Sequence, residues 1–369
     1  MRLIPIHHVE SGMLLGKPIF SGDGRILLKE LVPLSDSYIR RLRKLGYTSI
    51  YIEDAETSDI IVEETIPDEI RQEVVVRIKK SYDHLSSPKT MERMLNSGQI
   101  GQEFSKLYNL LFDHLKVNDT FMLNMSSIYA SDMYLYAHCM NVGVFSSVIG
   151  MAHGLSEERV KQLGVGAMLH DVGKLGVDKS ILDKPGALTE EERIEVEKHT
   201  WYGYNILIKQ AELSPLTAHC ALQHHEKIDG SGYPRKLKGN DIHDFGRILA
   251  VADVYDALTS NRPYRKQPAL PHEAMEYLYA GSGTHFDPHF VRLFREYVNI
   301  YPIGMQVQLS NGTFGIVAAV TKGTLDRPTI RVVAEQGYRV IPYDIDLSKH
   351  NNIVISSVRS LQETLLFGT

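Results

Sequence analysis

The apolar positions of this chain change their period twice. Up to about residue 60, short apolar runs alternate with polar turns. Two runs flank Ser21-Gly22-Asp23-Gly24, a sequence suited to a hairpin reversal. Ile39, Leu42 and Leu45 then recur at helical spacing. Ser35 stands where an N-cap belongs, and Gly46 supplies the left-handed stop. The run Ser49-Ile50-Tyr51-Ile52 closes a small α+β module, residues 1–62, which serves either as an interaction or sensing unit or as a structural cap.

From Pro67 the spacing becomes helical. Pro67 suits the first helical position, Asp68 and Glu69 suit the first turn, and Ile70, Val74, Ile78 and Leu85 form an apolar stripe. Ser86-Ser87-Pro88 interrupts it. We read 63–118 as a helical linker region whose stripe fits core packing, a domain junction or a dimer seam. Helical spacing persists from about 98 to 300: Phe104, Leu107, Leu111 and Leu115, then Met133 to Ile149, then Ser156 to Leu169. Thr189 with Glu192 is a capping box that predicts the start of the helix carrying His199, and Pro271 starts another. After Tyr301-Pro302 the period of two returns. Val307 and Leu309, the Asn311-Gly312 turn and Ile316-Val317 read as a hairpin, with further strands at Ile330 to Val333 and Ile353 to Ile355. The expected architecture is mainly α: a helical domain over 119–300, with the N-terminal module and a β-rich extension over 301–369.

The formal net charge is -5, from 40 basic and 45 acidic residues. That balance excludes a general electrostatic affinity for polymeric nucleic acid or an anionic membrane, although a few local Lys or Arg could hold a small anion. The two cysteines, Cys139 and Cys220, fit buried small residues in a reducing compartment. No run approaches the roughly 20 apolar residues that span a bilayer. Met1-Arg2-Leu3-Ile4-Pro5 is not followed by the apolar core of a signal peptide. A cytoplasmic location is expected.

The candidate chemistry lies in the helical stretch. Seven groups follow in order: His138, His170-Asp171, His199, His224-His225 and Asp253. Imidazole and carboxylate bind first-row divalent metals, and this N/O-rich set suits Fe, Mn, Ni, Co or Zn better than Ca or Mg. Two metals close together need several neutral nitrogens and a shared oxygen ligand. A carboxylate can bridge and an imidazole cannot, so Asp171 is the expected bridge. His170, His138 and Asp253 would complete one shell; His199, His224 and His225 would complete the other. Such a pair lowers the pKa of a bridging hydroxide, which attacks phosphorus in line. Lys174, three residues beyond Asp171, could hold a phosphate oxygen or neutralise the leaving oxygen; alone it would be an ordinary surface lysine.

His170-Asp171 after Ala167-Met168-Leu169 resembles the HD superfamily of metal-dependent phosphohydrolases. Its HD-GYP branch is resembled by His224-His225-Glu226 through Gly232-Tyr233-Pro234, by Ala252-Asp253-Val254-Tyr255-Asp256-Ala257-Leu258, by Arg262-Pro263-Tyr264-Arg265, and by Gly283-Thr284-His285-Phe286-Asp287-Pro288. Five motifs in order make the resemblance specific over roughly residues 120–300. It implies a helical bundle, a site of two or sometimes three metals, and hydrolysis of cyclic di-GMP to linear pGpG, with GMP as a further product. It implies that the seven groups are ligands, that Lys174, Arg262 and Arg265 meet the phosphates, and that Tyr233 forms a lip of the site. Family members with a third metal carry a Glu where this chain has Tyr134, so the site is expected to be binuclear, with Fe or Mn foremost. Asp256, three residues beyond Asp253 on the same helix face, is expected to hydrogen-bond behind the ligands, with help to a weak third metal as the alternative. Hydrolysis of another cyclic dinucleotide and a catalytically silent cyclic di-GMP sensor are the alternative readings. The chain is compatible with a homodimer and with signalling-protein contacts through the GYP loop or the N-terminal module.

Overall fold

A computed structural model describes residues 1–21, 23–62, 64–85, 98–117, 133–184, 186–260, 269 and 271–358. They fall into two compact units.

The first unit draws on Met1–Thr65 and Val298–Thr369. Strands β1 (Arg2–Pro5) and β2 (Leu14–Leu15) flank β5 (Ser49–Glu53) in an antiparallel sheet, and β3 (Ile19–Phe20) pairs with β4 (Ile26–Leu28). Helix α1 (Asp36–Lys44) begins where Ser35 Oγ accepts the Tyr38 N–H, and it is followed by Gly46 at φ 84°. Its Ile39 and Leu42 are buried with Ile4, Leu15, Ile50 and Ile52. The C-terminal residues form β6 (Gln306–Leu309), β7 (Thr313–Ala319), β8 (Thr329–Glu335), β9 (Tyr338–Asp346) and β10 (Ile355–Val358), in the order β10-β6-β7-β8-β9. The module and the extension lie in one unit. Leu3 N–H donates to Gly304 O at 2.8 Å, and Gln306 Nε2–H donates to Leu3 O at 2.9 Å. Ile60 is buried with Phe314, Ile316 and Val333.

The second unit is helical: α2 (Asp68–Leu85), α3 (Gln99–Val117), α4 (Tyr134–Ala152), α5 (Glu157–Met168), α6 (Lys179–Leu182), α7 (Glu190–Glu197), α8 (His199–Leu207), α9 (Pro215–Gln223), α10 (Asp244–Thr259), α11 (Pro271–Ala280) and α12 (Pro288–Tyr297). Helix α4 is apolar on all sides, and every residue from Ala137 to Gly150 is buried. Contrary to the sequence expectation that no run approaches a spanning length, α4 is long and apolar enough to cross a bilayer, but 78% of its apolar window is buried inside the molecule, so it is a core helix. Phe145 on α4 meets Tyr255 of α10 and Phe294 of α12 at ring-centroid distances of 5.5 and 5.6 Å. Both cysteines are buried and unpaired, and burial pushes the Cys139 thiol up to about 12.

The mainly helical class with its two β-containing segments is the one expected. The boundaries differ in three places. The helix begun by the Thr189 capping box stops at Glu197, and His199 opens the next one. The His199 ring donates to Val196 O and Thr200 Oγ donates to Glu197 O, which diverts carbonyls from the helical ladder. The last strand begins at Ile355 rather than Ile353, and β9 has no counterpart in the sequence reading. The Ser86-Ser87-Pro88 interruption lies outside the described residues.

Candidate metal centre

Three of the seven candidate groups stand on helices and four on helix exits. His138 is on α4, His199 opens α8 and Asp253 is on α10. His170-Asp171 and His224-His225 lie just beyond α5 and α9 rather than within them. That placement has a use. The last carbonyls of a helix have no partner in the ladder, and here they take imidazole protons. His170 Nδ1–H donates to Ala167 O at 2.7 Å. His224 Nδ1–H donates to Ala221 O at 2.9 Å and Cys220 O at 3.1 Å. His199 Nδ1–H does the same to Val196 O at 2.6 Å. A carbonyl only accepts, so each of these rings carries a proton on Nδ1 and presents Nε2 to the cluster.

The ligand atoms converge. His138, His170 and Asp171 form one set and His199, His224 and His225 another, with the atoms of each set within 4.8 Å of one another. Asp171 lies between them. Its Oδ1 is 3.6 Å from His199 Nε2 and 3.8 Å from His224 Nε2. Its Oδ2 is 3.4 Å from His170 Nε2 and 2.5 Å from Lys174 Nζ. Asp253 Oδ1 is 3.2 Å from His138 Nε2 and 3.9 Å from His170 Nε2. His138 Nδ1 is 2.7 Å from Asp256 Oδ2; the other Asp256 oxygen accepts from Asn141 Nδ2 at 2.8 Å, and Ser260 Oγ adds a third bond at 3.0 Å. Asp256 therefore stands behind His138.

The backbone permits this convergence at two glycines. A Cβ on Gly173 would overlap His199 O and Gly203 N, so the turn bearing Asp171 and Lys174 sits directly on the first turn of α8. A Cβ on Gly232 would overlap Lys227 N, so the Gly-rich loop folds back onto the His225-Glu226 backbone.

The set is matched to a cation. His199 Nε2 and His224 Nε2 are 3.2 Å apart, and with both protons on Nδ1 neither can donate to the other. Two lone pairs at that distance repel unless a positive charge lies between them. His138 Nε2, His170 Nε2 and Asp171 Oδ1 are buried without a hydrogen-bond partner; the short His138–Asp253 approach lacks hydrogen-bond alignment. Buried atoms of this kind are rare without a reason. Burial, then the neighbouring His225, His170 and His199 rings, hold His224 well below the ordinary histidine range, and burial pushes His225 down to about 3. Both rings are therefore neutral and ready to ligate. Asp171 and Asp253 are held well below the ordinary carboxylate range although burial opposes this, and at Asp171 the Lys174 ammonium is the main opposing charge.

A family model described as an HD domain matches residues 110–290. The central part of this chain thus matches an HD domain, and its motifs are similar to those of the HD-GYP type. Over 211 residues it is 37% identical to a cyclic di-GMP phosphodiesterase of Pseudomonas aeruginosa, covering 57% of this chain and 50% of that protein. Over 203 residues it is 40% identical to a cyclic di-GMP phosphodiesterase of Thermotoga maritima, covering 54% and 53%. A 3'3'-cGAMP-specific phosphodiesterase of Vibrio cholerae is 37% identical over 200 residues, covering 54% and 38%. The chain thus spans about half the length of the curated relatives it matches.

In this domain the loop carrying Gly232-Tyr233-Pro234 is tied to the cluster. Tyr233 lies against the His225 ring, with centroids 4.7 Å apart. Glu226, buried, accepts the N–H groups of Arg235 at 2.8 Å and Leu237 at 2.9 Å. In the sequence Glu226 stands within a motif with no role of its own, and its one signal is an acid directly after two histidines. Ile228 and Asp229 N–H donate to His285 and Thr284 carbonyls, joining the loop to the Gly283-to-Pro288 motif. Arg262 and Arg265 lie outside the described residues, and Tyr134 is half-buried at the start of α4.

Proposed function

We propose that this chain is a metal-dependent phosphodiesterase that opens cyclic di-GMP to linear pGpG. The observation that carries the reading is the opposed, proton-free His199 and His224 nitrogens beside an unpartnered Asp171 oxygen. In this reading His138, His170, Asp171 and Asp253 hold one divalent cation, and His199, His224, His225 and Asp171 hold a second. The resemblance to HD-GYP enzymes favours Fe or Mn, and the N/O-rich donor set also suits Ni, Co and Zn. Bound there, two cations supply Lewis acidity and an activated water for in-line attack on phosphorus.

The remaining roles belong to the protein. Asp171 offers one oxygen to each ligand set, which fixes the spacing of the two positions. Lys174, a third exposed, is held by Asp171 Oδ2 at 2.5 Å and turns positive charge toward the phosphate. Water forms a P–O bond and gives up one proton, the P–O3′ bond breaks, and the departing O3′ takes up one proton in exchange; Lys174 steadies the charge that develops on that oxygen before it is protonated. Arg262 and Arg265 complete the phosphate contacts, and Tyr233 lines the lip. The catalytic region is 119–300, and the two unpaired cysteines favour the cytoplasm.

Hydrolysis of 3'3'-cGAMP is the second reading, favoured by the similarity to 3'3'-cGAMP-specific enzymes. The test is product identification with both dinucleotides, using protein loaded with Mn(II) or Fe(II) under reducing conditions. The proposal expects pGpG, with GMP as a later product, and faster turnover of cyclic di-GMP. Faster turnover of 3'3'-cGAMP replaces the first reading with the second. Binding without turnover under every metal refutes both in favour of a sensor.

A further inference from the structure

Four of the five imidazoles in the cluster are oriented by a bond at Nδ1. Backbone carbonyls hold His170, His199 and His224, and the Asp256 carboxylate holds His138. Among the described residues the His225 side chain has no such bond. It is held by rings instead. Tyr233 lies along it with planes inclined at 31°, His224 lies 4.0 Å away centroid to centroid, and His199 meets it edge-on at 5.2 Å. His199 and His224 are themselves candidate ligands, so Tyr233 is the ring contact from outside the ligand set. Its placement is well determined. Tyr233 N–H donates to His225 O at 3.2 Å, and the Glu226 carboxylate holds the chain just beyond it at Arg235 and Leu237. Gly232 permits the loop to lie flat on the residues it follows.

We propose that Tyr233 is a positioning residue for His225: its ring fixes the plane of that imidazole, so filling of the cation position formed by His199, His224 and His225 depends on the GYP loop. The phenol ring does this by surface contact and shape, and the hydroxyl is dispensable for it. A ring free to turn presents its nitrogen to the cation for only part of the time, and this weakens one position while leaving the other intact. The inference rests on the two-cation reading above.

The experiment titrates metal-free protein with Mn(II), counts bound ions per chain by atomic emission, and follows the same titration with Co(II) by its visible spectrum. Tyr233→Phe is expected to bind two ions as the unaltered protein does. Tyr233→Ala, and Tyr233→Leu, which keeps bulk without a flat ring, are expected to bind one ion normally and the other roughly tenfold more weakly. Thermal melts of the metal-free variants check that they fold. Two ions bound by Tyr233→Ala with unchanged affinity overturns the positioning role alone. Weakening in Tyr233→Phe equal to that in Tyr233→Ala also overturns it, by assigning the effect to the hydroxyl. An unaltered protein that binds no pair of ions overturns the two-cation reading, and this inference with it.

Discussion

Gly173→Ala is the substitution for which the structure sets the firmest expectation. Gly173 does not adopt a left-handed backbone, so alanine brings no dihedral strain there and the effect is steric. The added Cβ would be 2.9 Å from Gly203 Cα, where ordinary contact begins at 3.4 Å, and it would overlap His199 O and Gly203 N outright. All three are backbone atoms, so no side chain can swing aside. The turn or α8 must retreat by roughly 1 Å. Overpacking of this kind costs about 1–3 kcal/mol. The same retreat separates Asp171 from His199, now 3.6 Å apart across the cluster. Sites tolerate only about 0.5 Å of such drift, and a misplacement of about 1 Å can cost roughly 100-fold in rate. Urea unfolding of the metal-free variant would measure the first effect, and Mn(II) affinity with turnover of cyclic di-GMP the second. A variant with unaltered unfolding midpoint and unaltered metal affinity would refute the close approach as the device that assembles the site.

Three further outcomes are expected. Asp256→Asn keeps the shape behind His138 and removes a charged acceptor, so metal affinity should fall about 10- to 100-fold by chelator competition; unchanged affinity would contradict that role. Lys174→Ala should lower turnover while metal content, read by atomic emission, stays at the level of the unaltered protein; loss of metal would mean that Lys174 supports the ligands. Ser35→Ala removes the acceptor for Tyr38 N–H at the start of α1 and should cost about 0.5–2 kcal/mol in denaturant unfolding. No candidate ligand belongs to that unit, so metal content should not change.

The local grammar of the chain was legible. Ser35 and Gly46 bound α1, Ser156 caps α5, and the Thr189 capping box is made on both sides. These features depend on residues a few positions apart. The candidate site was legible for a different reason: its histidines and aspartates are too particular in kind and order to be core filling. What the chain could not disclose is long in range. His138 and Asp256 are 118 residues apart, and their contact exists only once α4 and α10 pack. The pairing of Leu3 with Gly304 is likewise invisible to periodicity, so the module and the extension read as separate pieces. Apolar spacing ran through Leu169 and concealed the helix end at Met168 that frees carbonyls for His170. The break at Lys198 was hidden in the same way, because its cause is side-chain bonding by His199 and Thr200.

The imidazoles and carboxylates around Asp171 would together cage a pair of cations. Anomalous diffraction from crystals of the protein loaded with Mn(II) measures this directly. Two peaks are expected, one against His138, His170 and Asp253 and one against His199, His224 and His225, with Asp171 between them. No peak within the cluster, or a single peak that leaves one of the two ligand sets bare, would contradict it.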